Sequence, residues 1–363
     1  MIVVAKIGTS SITDDHGEIA VMAVEKLCSE VADLRSQGHR VVIVTSGAIA
    51  AGLPALGLSG RRPNDIATLQ AVSAVGQSRL MGVYDAALGS HGLVAGQVLL
   101  APLDFAHRSQ YLHARQTLNR LLELGVVPVV NENDAIADDE IRFGDNDFLA
   151  ALLANLVSAD LLVLLTDAPG LLSADPRLVE GGSLIEEIVE IDHEMERMAG
   201  GRGSVHGSGG MASKLAAAKI ASWSGVRAVI AAANRPAVLA GAVDGRPGVG
   251  TVVRPRDRRL PARKLWIAFA MAMSGTIVVD EGARRALVER GRSLLPAGIT
   301  EVRGHFEADD AVEIAGPDGR VFAKGLVRLS AVDLKAAAGR RTSDLPEGTP
   351  HEAVHADDLV ALP

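Results

Sequence analysis

The first 250 residues alternate between short segments that are apolar throughout and longer segments whose apolar residues recur at helical spacing. We predict strands for the short segments and helices for the long ones. Strands without a polar face, separated by helices, are typical of a mainly parallel sheet that helices cover on both faces. The sequence therefore predicts an α/β fold, and in such sheets ligands bind beyond the carboxyl ends of the strands. The predicted strands are Ile2–Ile7, Arg40–Thr45, Leu93–Leu100, Val126–Val130, Leu161–Thr166 and Ala228–Ala233, and the predicted helices are Val21–Arg35, Ile66–Leu88, Gln110–Leu124, Asp147–Leu156 and Met211–Ser222.

A second, smaller domain is predicted after residue 250, where the character of the sequence changes. At 363 residues the chain is long for one hydrophobic core, so two domains are expected. Thr251–Pro261 is rich in proline and arginine and is interpreted as a linker, and turns such as Gly316–Gly319 separate short β-like segments beyond it. We place the first domain at 1–254, the linker at 255–262, a compact β-rich domain at 263–341 and an acidic, mobile tail at 342–363. The β-like segments are Gly275–Val279, Thr300–Arg303, Ala311–Ile314, Val321–Ala323 and Leu326–Leu329.

Composition and charge narrow the class of protein. The formal net charge of −8 argues against a protein built mainly to bind nucleic acid. The longest strongly apolar stretches, such as Leu161–Leu165, are far shorter than a membrane-spanning helix requires. The first residues, MIVVAKIGTSSIT, lack the features of a signal peptide. The one cysteine, Cys28, excludes an internal disulfide and a multi-cysteine zinc site, and its helical pattern indicates a packing thiol. We therefore expect a cytoplasmic protein that does not enter a membrane.

Four polar clusters follow predicted strands, at the edge of the sheet where ligands bind. For any one cluster, a strand that simply ends in a polar turn is the ordinary explanation. Four clusters at the same edge weaken that explanation and indicate a binding site. The clusters are Lys6–Ser10, Thr45–Ala48, Asn131–Asp134 and Thr166–Leu171.

Two further clusters precede or open helices, namely Phe143–Asp147 and Gly207–Lys214. A glycine-rich turn that runs into a helix presents free backbone N–H groups and the positive end of the helix dipole to an anion. Lys214 lies in the first helical turn, where a lysine opposes the dipole and where a bound phosphate would relieve the conflict. The register does not match G-x-x-x-x-G-K-[ST], and no G-x-G-x-x-G follows a strand here. A phosphate site of another type is predicted, with a flexible loop and a solvated lysine as the alternative.

Six motifs, taken together and in order, resemble those of the glutamate 5-kinases, which belong to the amino-acid kinase fold. The resemblance extends from residue 1 to about residue 340, because the β-rich part is similar to the PUA domain that many members carry. Six motifs in register are highly specific, although no single one would suffice. They are Lys6-Ile-Gly-Thr-Ser, Thr45-Ser-Gly-Ala-Ile, Asn131-Glu-Asn-Asp, Gly144-Asp-Asn-Asp, Leu165-Thr-Asp-Ala-Pro-Gly-Leu and Gly209-Gly-Met-Ala-Ser-Lys.

The resemblance implies ATP-dependent phosphorylation of the γ-carboxylate of L-glutamate, the first step of proline biosynthesis. It implies that Lys6 contacts the transferring phosphoryl group and that Asp147 orients Lys6 and Lys214. Arg142, where a lysine is common, and the Ala212-Ser213 pair depart mildly from the family pattern, which affects only the fine geometry of the phosphate loop. The implied glutamate ligands are Ser46, Asp134 and Asn146. The implied ATP ligands are Lys6, Thr166, Asp167, Ser208, Gly209, Gly210, Met211, Ala212, Ser213 and Lys214.

The chemistry of this reaction agrees with the residue types present. A γ-carboxylate with a pKa near ~4.3 is already an anion at neutral pH, so it needs no general base to attack phosphorus. His206, close to the glycine-rich turn, is accordingly interpreted as a loop residue. What the reaction requires is positioning and neutralisation of charge, which Lys6, Lys214, Mg²⁺ and backbone N–H groups would supply. The phosphates would hold Mg²⁺, so no dedicated protein metal site is expected.

Other interpretations stay open. The nearest is another kinase of the same fold, acting on aspartate, acetylglutamate, carbamate or a nucleotide, although Asn131–Asp134 and Gly144–Asp147 argue against it. RNA binding by the PUA-like domain is a second class, which the weak basic charge and the few aromatic residues disfavour. The resemblance also suggests a homo-oligomer inhibited by proline. The sequence shows neither property, and it does not reveal the role of the PUA-like domain or of the loop Leu53–Pro63.

Overall fold

The computed structural model of the chain describes residues 1–14, 16–59, 63–105, 107–136, 146–173, 182–199, 210–257, 259–269, 271, 273–346 and 348–362. The chain divides into two compact units, Met1–Leu260 and Pro261–Pro363, and the division falls inside the segment interpreted as a linker. Among the described residues, no helix has the length and hydrophobicity that a bilayer crossing would need.

The first unit contains one sheet of eight strands. In chain order, the strands are β1 (Ile2–Ile7), β2 (Arg40–Val44), β3 (Ala95–Leu100), β4 (Val127–Glu132), β5 (Leu161–Thr166), β6 (Glu187–Ile188), β7 (Arg227–Ala232) and β8 (Thr251–Val253). Their spatial order is β3-β4-β2-β1-β5-β7-β8-β6. Neighbouring strands are parallel except for β7 and β8, which are antiparallel. The predicted mainly parallel sheet is confirmed.

Helices cover both faces of this sheet. They are α1 (Thr9–Ile12), α2 (Val21–Ser36), α3 (Ala48–Gly52), α4 (Ile66–Gly89), α5 (Arg108–Glu123), α6 (Asn146–Leu156), α7 (His193–Ala199), α8 (Met211–Trp223) and α9 (Val238–Asp244). Apolar residues of α2, α4 and α9 share one core with Val3, Ala5 and Ile7 of β1. Because successive residues of a strand point to opposite faces, Lys6 lies on the other face, beside α6, and α6 packs against α8.

Cys28 is a residue of α2, belongs to the core that α2 shares with β1, and is fully buried. Burial, with a smaller contribution from the charge of Glu25, raises the pKa of its thiol to about 12. The thiol therefore stays protonated at neutral pH, which fits a packing role rather than a reactive one.

The second unit contains a separate five-stranded sheet. Its elements are α10 (Ala262–Phe269), β9 (Gly275–Val279), α11 (Glu281–Arg290), β10 (Ile299–Gly304), β11 (Ala311–Ala315), β12 (Val321–Val327), α12 (Ala331–Ala337) and β13 (Val354–Ala361). The strands lie in the order β10-β9-β11-β12-β13, and all pairs are antiparallel except β9 with β11. The two predicted strands Val321–Ala323 and Leu326–Leu329 are one strand, β12. The β-rich expectation holds, but the three helices were not predicted.

The structure corrects two interpretations of the connecting and terminal segments. Within Thr251–Pro261, interpreted as a linker from its composition, Thr251–Val253 forms β8 and pairs with β7, so these three residues belong to the first sheet and lie inside the bounds 1–254 given for the first domain. The acidic tail is not a mobile appendage in its described part, because β13 pairs with β12 as an outer strand. Ala353 and Val354 are fully buried there, and Asp358 lies 2.7 Å from the Arg263 guanidinium. The C-terminal segment is therefore ordered by burial and charge pairing within the second unit, which its acidic composition did not indicate.

Candidate active site

The polar clusters converge at the carboxyl ends of the central strands. Lys6 lies at the end of β1, Ser46 follows β2, Asp134 follows β4, and Thr166 ends β5. Parallel strands bring these ends to one edge, as the sequence predicts. The N-terminal turns of α6 and α8 reach the same edge, since Asp147 of α6 contacts Lys6 and Lys214 of α8 contacts Asp147.

Asp147, in the first turn of α6, lies between two lysines. Its Oδ1 is 2.5 Å from Lys6 Nζ, and its Oδ2 is 3.1 Å from Lys214 Nζ. Its side chain is fully buried, and Lys6 and Lys214 are only 2% and 4% exposed. The Ser213 hydroxyl donates to Asp147 Oδ2 at 2.8 Å. The structure therefore brings all three predicted charged residues into direct contact.

The protonation of Asp147 follows from these contacts. Burial alone would raise the pKa of this carboxyl, but the ammonium groups of Lys6 and Lys214 and the Ser213 hydrogen bond hold it below its usual range. The carboxylate is therefore ionised at neutral pH. A lysine in the first turn of α8 is unfavourable next to the positive end of the helix dipole. The ionised Asp147 carboxylate offsets this effect for Lys214, because it pairs with the ammonium group.

A second group of contacts joins the start of α6 to the loop after β2. Asn146 Nδ2 donates to Ser46 Oγ at 2.9 Å, and Asn146 Oδ1 accepts from the backbone N–H of Glu132 at 3.3 Å. Asn146 is 9% exposed, so its amide has an enclosed and defined position. Two of the three predicted substrate ligands therefore touch each other, and Asn146 directly precedes Asp147, the residue that holds the two lysines.

The third predicted substrate ligand, Asp134, is held from another side, by α4. The Ser73 hydroxyl donates to Asp134 Oδ2 at 2.6 Å. Burial raises the pKa of Asp134, and the Ser73 hydrogen bond works in the opposite direction without cancelling that effect. A cation placed beside Asp134 would favour its ionised form, so this carboxyl is suited to a positively charged group.

Helix α4 supplies polar residues that sequence reasoning missed. Besides Ser73, Gln77 accepts from Asn131 Nδ2 at 2.8 Å through its Oε1. Tyr84 is fully buried, with its hydroxyl 2.8 Å from Thr45 Oγ1. Ser73, Gln77 and Tyr84 recur at intervals of four and seven residues, so they share the inner face of the helix. The available signal was a set of polar groups at core-facing positions of an apolar helix.

The close approach of α3 and α4 brings these residues to the site. A Cβ added at Gly76 would lie 1.8 Å from the carbonyl oxygen of Ala48, and one added at Gly52 would lie 2.1 Å from that of Val72. Only glycine permits backbones to pack this tightly. The inner face of α4 is thereby fixed beside the loop that carries Ser46.

The predicted nucleotide-binding residues at the end of β5, Thr166 and Asp167, face a cavity. Thr166 Oγ1 donates to Asp167 Oδ1 at 2.9 Å, and both residues line a cavity of about 340 Å³ at the ends of β1, β5 and β7. Lys26 and Glu30 of α2, paired at 2.7 Å, form part of its wall. Such a volume is within the range of small-molecule sites.

Part of the predicted phosphate loop lies outside the described residues, namely Ser208 and Gly209, and so do Arg142, Gly144 and His206. Gly210 is the N-cap of α8 and has extended backbone angles. Met211, Ala212, Ser213 and Lys214 form the first turn of that helix. In the loop Leu53–Pro63, Pro54–Leu56 forms a short 3₁₀ turn, and residues 60–62 are outside the description.

Comparison with known proteins gives the same assignment along the whole chain. The model of the amino acid kinase family matches residues 1–232, and that of the PUA domain matches residues 275–348. Glutamate 5-kinase of Mycobacterium ulcerans (strain Agy99) is 46% identical over 360 residues, covering 99% of this chain and 96% of the relative. Glutamate 5-kinase of Pelobacter propionicus (strain DSM 2379 / NBRC 103807 / OttBd1) is 43% identical over 364 residues, with 99% and 97% covered. Glutamate 5-kinase of Caldanaerobacter subterraneus subsp. tengcongensis is 41% identical over 366 residues, with 100% and 98% covered. The resemblance stated from the motifs is confirmed, and the chain belongs to the glutamate 5-kinases of the amino acid kinase family.

Proposed function

We propose that this chain transfers the γ-phosphoryl group of ATP to the γ-carboxylate of L-glutamate, giving L-glutamyl 5-phosphate and ADP. The observation that carries the proposal is the buried Lys6–Asp147–Lys214 cluster, which lies at the same sheet edge as the Ser46–Asn146 pair. Two ammonium groups on one carboxylate leave a net positive charge there, which is suited to a phosphoryl group. The glutamate 5-kinase relatives at 41–46% identity support the choice of acceptor.

The reaction itself is a single displacement. A γ-carboxylate oxygen of glutamate forms a bond to the γ-phosphorus while the bond from that phosphorus to the β,γ-bridging oxygen breaks, and ADP leaves with the bonding electrons. The acceptor is already an anion, so no side chain has to remove a proton. Lys6 and Lys214 neutralise the charge that spreads over the oxygens of the transferring phosphoryl group, and Asp147 holds both ammonium groups in fixed positions. Because all three side chains are buried, their charges act in an environment of low dielectric constant, where they stabilise developing charge more strongly than in water.

The acceptor would be held by two separate sets of groups. Ser46 and Asn146 are proposed to bind the γ-carboxylate, since Asn146 donates to Ser46 and directly precedes Asp147, the partner of both lysines. Asp134 is proposed to bind the α-ammonium group. Its raised pKa supports this role, because an ammonium partner would recover the ionisation that burial disfavours.

The nucleotide is proposed to contact Thr166, Asp167 and the residues from 208 to 214, of which the N-terminal turn of α8 offers backbone N–H groups to the phosphates. Bound Mg²⁺ would neutralise phosphate charge. Both oxygens of Asp147 already face a lysine, so the ATP phosphates are proposed to supply most of the metal ligands. Among the described residues, no group of three or more histidine, cysteine or acidic side chains converges as a metal site.

The test is ADP release by the purified protein with ATP, Mg²⁺ and L-glutamate, run beside L-aspartate, N-acetyl-L-glutamate and UMP. Hydroxylamine traps the acyl phosphate as a hydroxamate. We expect glutamate-dependent ADP release with hydroxamate formation, and turnover on another acceptor instead would contradict the substrate assignment. Lys214→Ala should lose turnover while retaining its fold, and Lys335→Ala, on the exposed surface of α12, is the matched control.

The family also supports proposals of wider scope. We propose a place in proline biosynthesis, a cytoplasmic location, a homo-oligomer, and inhibition by proline at a pocket shared with glutamate. RNA binding by the second unit is not favoured by its sequence, and a gel shift at low salt would test it.

A further inference from the structure

Two hydrogen bonds tie the inner face of α4 to the end of β4 and to the turn that follows it. Ser73 donates to Asp134 at 2.6 Å, and Gln77 accepts from Asn131 at 2.8 Å. Ser73 and Gln77 are four residues apart and therefore neighbours on the helix surface. The Gln77 amide thus lies one helical turn from the carboxyl that is proposed to bind the substrate's ammonium group.

The orientation of the Gln77 amide follows from its partners. The backbone N–H of Glu132 donates to Asn131 Oδ1 at 2.9 Å, and a backbone N–H can only be a donor. Asn131 must therefore present its Nδ2 to Gln77, which requires Gln77 to accept with Oε1. The Nε2 group of Gln77, with two N–H bonds, is left pointing away from Asn131.

This Nε2 group has no hydrogen-bond partner among the described residues, although it is buried. The side chain as a whole is 9% exposed. A buried donor without an acceptor costs free energy, so such groups in native proteins call for an explanation. A ligand acceptor that arrives with the substrate is one such explanation.

We propose that Gln77 Nε2 donates to the α-carboxylate of bound L-glutamate, which makes Gln77 a specificity residue for the α-amino acid end of the substrate. The inference rests on the proposed function. The α-carboxylate is attached to the same carbon as the ammonium group assigned to Asp134, so it must lie close to that side chain. The substrate then extends from Asp134 and Gln77, which hold its α-amino acid end, to Ser46 and Asn146, which hold its γ-carboxylate.

A purely structural role for Gln77 makes a different prediction. If Gln77 only holds Asn131 in place, replacing it would weaken the binding of every acceptor by a similar factor. If Nε2 contacts the α-carboxylate, the loss depends on whether the acceptor has that group. The acceptor 4-aminobutyrate is glutamate without its α-carboxylate, and it keeps the ammonium group and the γ-carboxylate.

The experiment compares kcat/KM for L-glutamate and 4-aminobutyrate in wild type, Gln77→Glu and Gln77→Met. Gln77→Met removes the donor without adding a charge. Gln77→Glu keeps an acceptor for Asn131 but adds a carboxylate near Asp134, so a selective loss on glutamate must appear in Gln77→Met as well. Loss of a hydrogen bond to a charged group corresponds to roughly 10- to 100-fold in kcat/KM for glutamate. For 4-aminobutyrate we expect a change of about twofold or less, apart from the general cost of leaving Asn131 unpaired in Gln77→Met. If wild type does not turn over 4-aminobutyrate, its inhibition constant against glutamate replaces kcat/KM.

Three controls separate the outcomes. Gln116→Met makes the same replacement at an exposed position of α5 and should change neither substrate constant. The KM for ATP should stay close to wild type in the Gln77 variants, and each variant should be folded at the assay temperature. An equal loss on both acceptors, or no loss on glutamate, would overturn the role of Gln77. Absence of glutamate turnover in wild type would instead contradict the proposed function.

Discussion

Replacing Asp147 by asparagine tests the charge cluster at the centre of the site. The substitution keeps the shape of the side chain but removes the counter-ion of two buried ammonium groups, at 2.5 Å and 3.1 Å. Breaking a buried ion pair by removing one partner costs about 3–5 kcal/mol, because the other charge stays buried without compensation. With two lysines on one carboxylate, we expect at least that loss in the free energy of unfolding of the first unit.

Urea unfolding followed by tryptophan fluorescence measures this loss. The chain has two tryptophans, so a Trp266→Phe background leaves Trp223, buried in α8, as the reporter of the first unit. A loss of about 4 kcal/mol with a slope near ~3 kcal/mol per M lowers the urea midpoint by about 1 M. We also expect kcat to fall by roughly 10²- to 10³-fold, since the two lysines lose their fixed positions.

The pH dependence of stability tests the direction of the Asp147 pKa shift. The pKa of Asp147 is lowered in the folded state, so its contribution is complete above the ordinary aspartate range and is lost as pH falls through the lowered value. The difference between wild type and Asp147→Asn should therefore be constant from neutral pH down to about pH 4 and close only below it. Asp85→Asn removes the same charge at an exposed position of α4. An Asp147→Asn midpoint equal to that of this control would refute the counter-ion argument.

Three further perturbations test other parts of the structure. Because burial raises the pKa of Asp134, the KM for glutamate should rise as pH falls through that raised value, and Ser73→Ala should move the rise to higher pH in a KM–pH profile. Gly76→Ala would place a carbon 1.8 Å from a backbone oxygen of α3, so its urea midpoint should drop, whereas Gly82→Ala, with open space around it, should be neutral or slightly stabilising. Deletion of residues 350–363 removes β13 and exposes the edge of β12, so we expect the second unit to lose its cooperative transition in calorimetry and the protein to aggregate. A KM–pH profile that Ser73→Ala does not shift would contradict the first expectation, and equal urea midpoints of the two glycine variants would contradict the second. A cooperative transition of the second unit after the deletion would contradict the third.

The strands and long helices of the first unit were predictable because each carries its own periodic signal. β1 and β5 are apolar except for Lys6 and Thr166 near their carboxyl ends, and the predicted bounds of α4 differ from the observed ones by one residue. The edge at which Lys6 and Lys214 meet followed from the rule that ligands bind beyond parallel strands. Such features depend on local pattern and on a general property of α/β sheets.

The remaining parts depend on contacts between distant segments, which a single sequence does not display. Ser73 and Asp134 are 61 positions apart, and Gln77 and Asn131 are 54 apart, so nothing local relates them. The order of β13 likewise comes from pairing with β12, while its composition resembles that of a solvated tail. Polar residues on the inner face of an otherwise apolar helix were the one available sign of the α4 contribution.

The burial of Lys6 and Lys214 has a consequence for amine-directed chemistry. Acylating reagents need a lysine nitrogen that is both reachable and disengaged, and here each nitrogen is covered by protein and held against Asp147. Exposed lysines such as Lys335 will react first, while these two stay unlabelled in the folded chain. Acylation of Lys6 or Lys214, located by peptide mass, therefore reports an opening of the proposed phosphate site, and its rate measures how often that opening occurs.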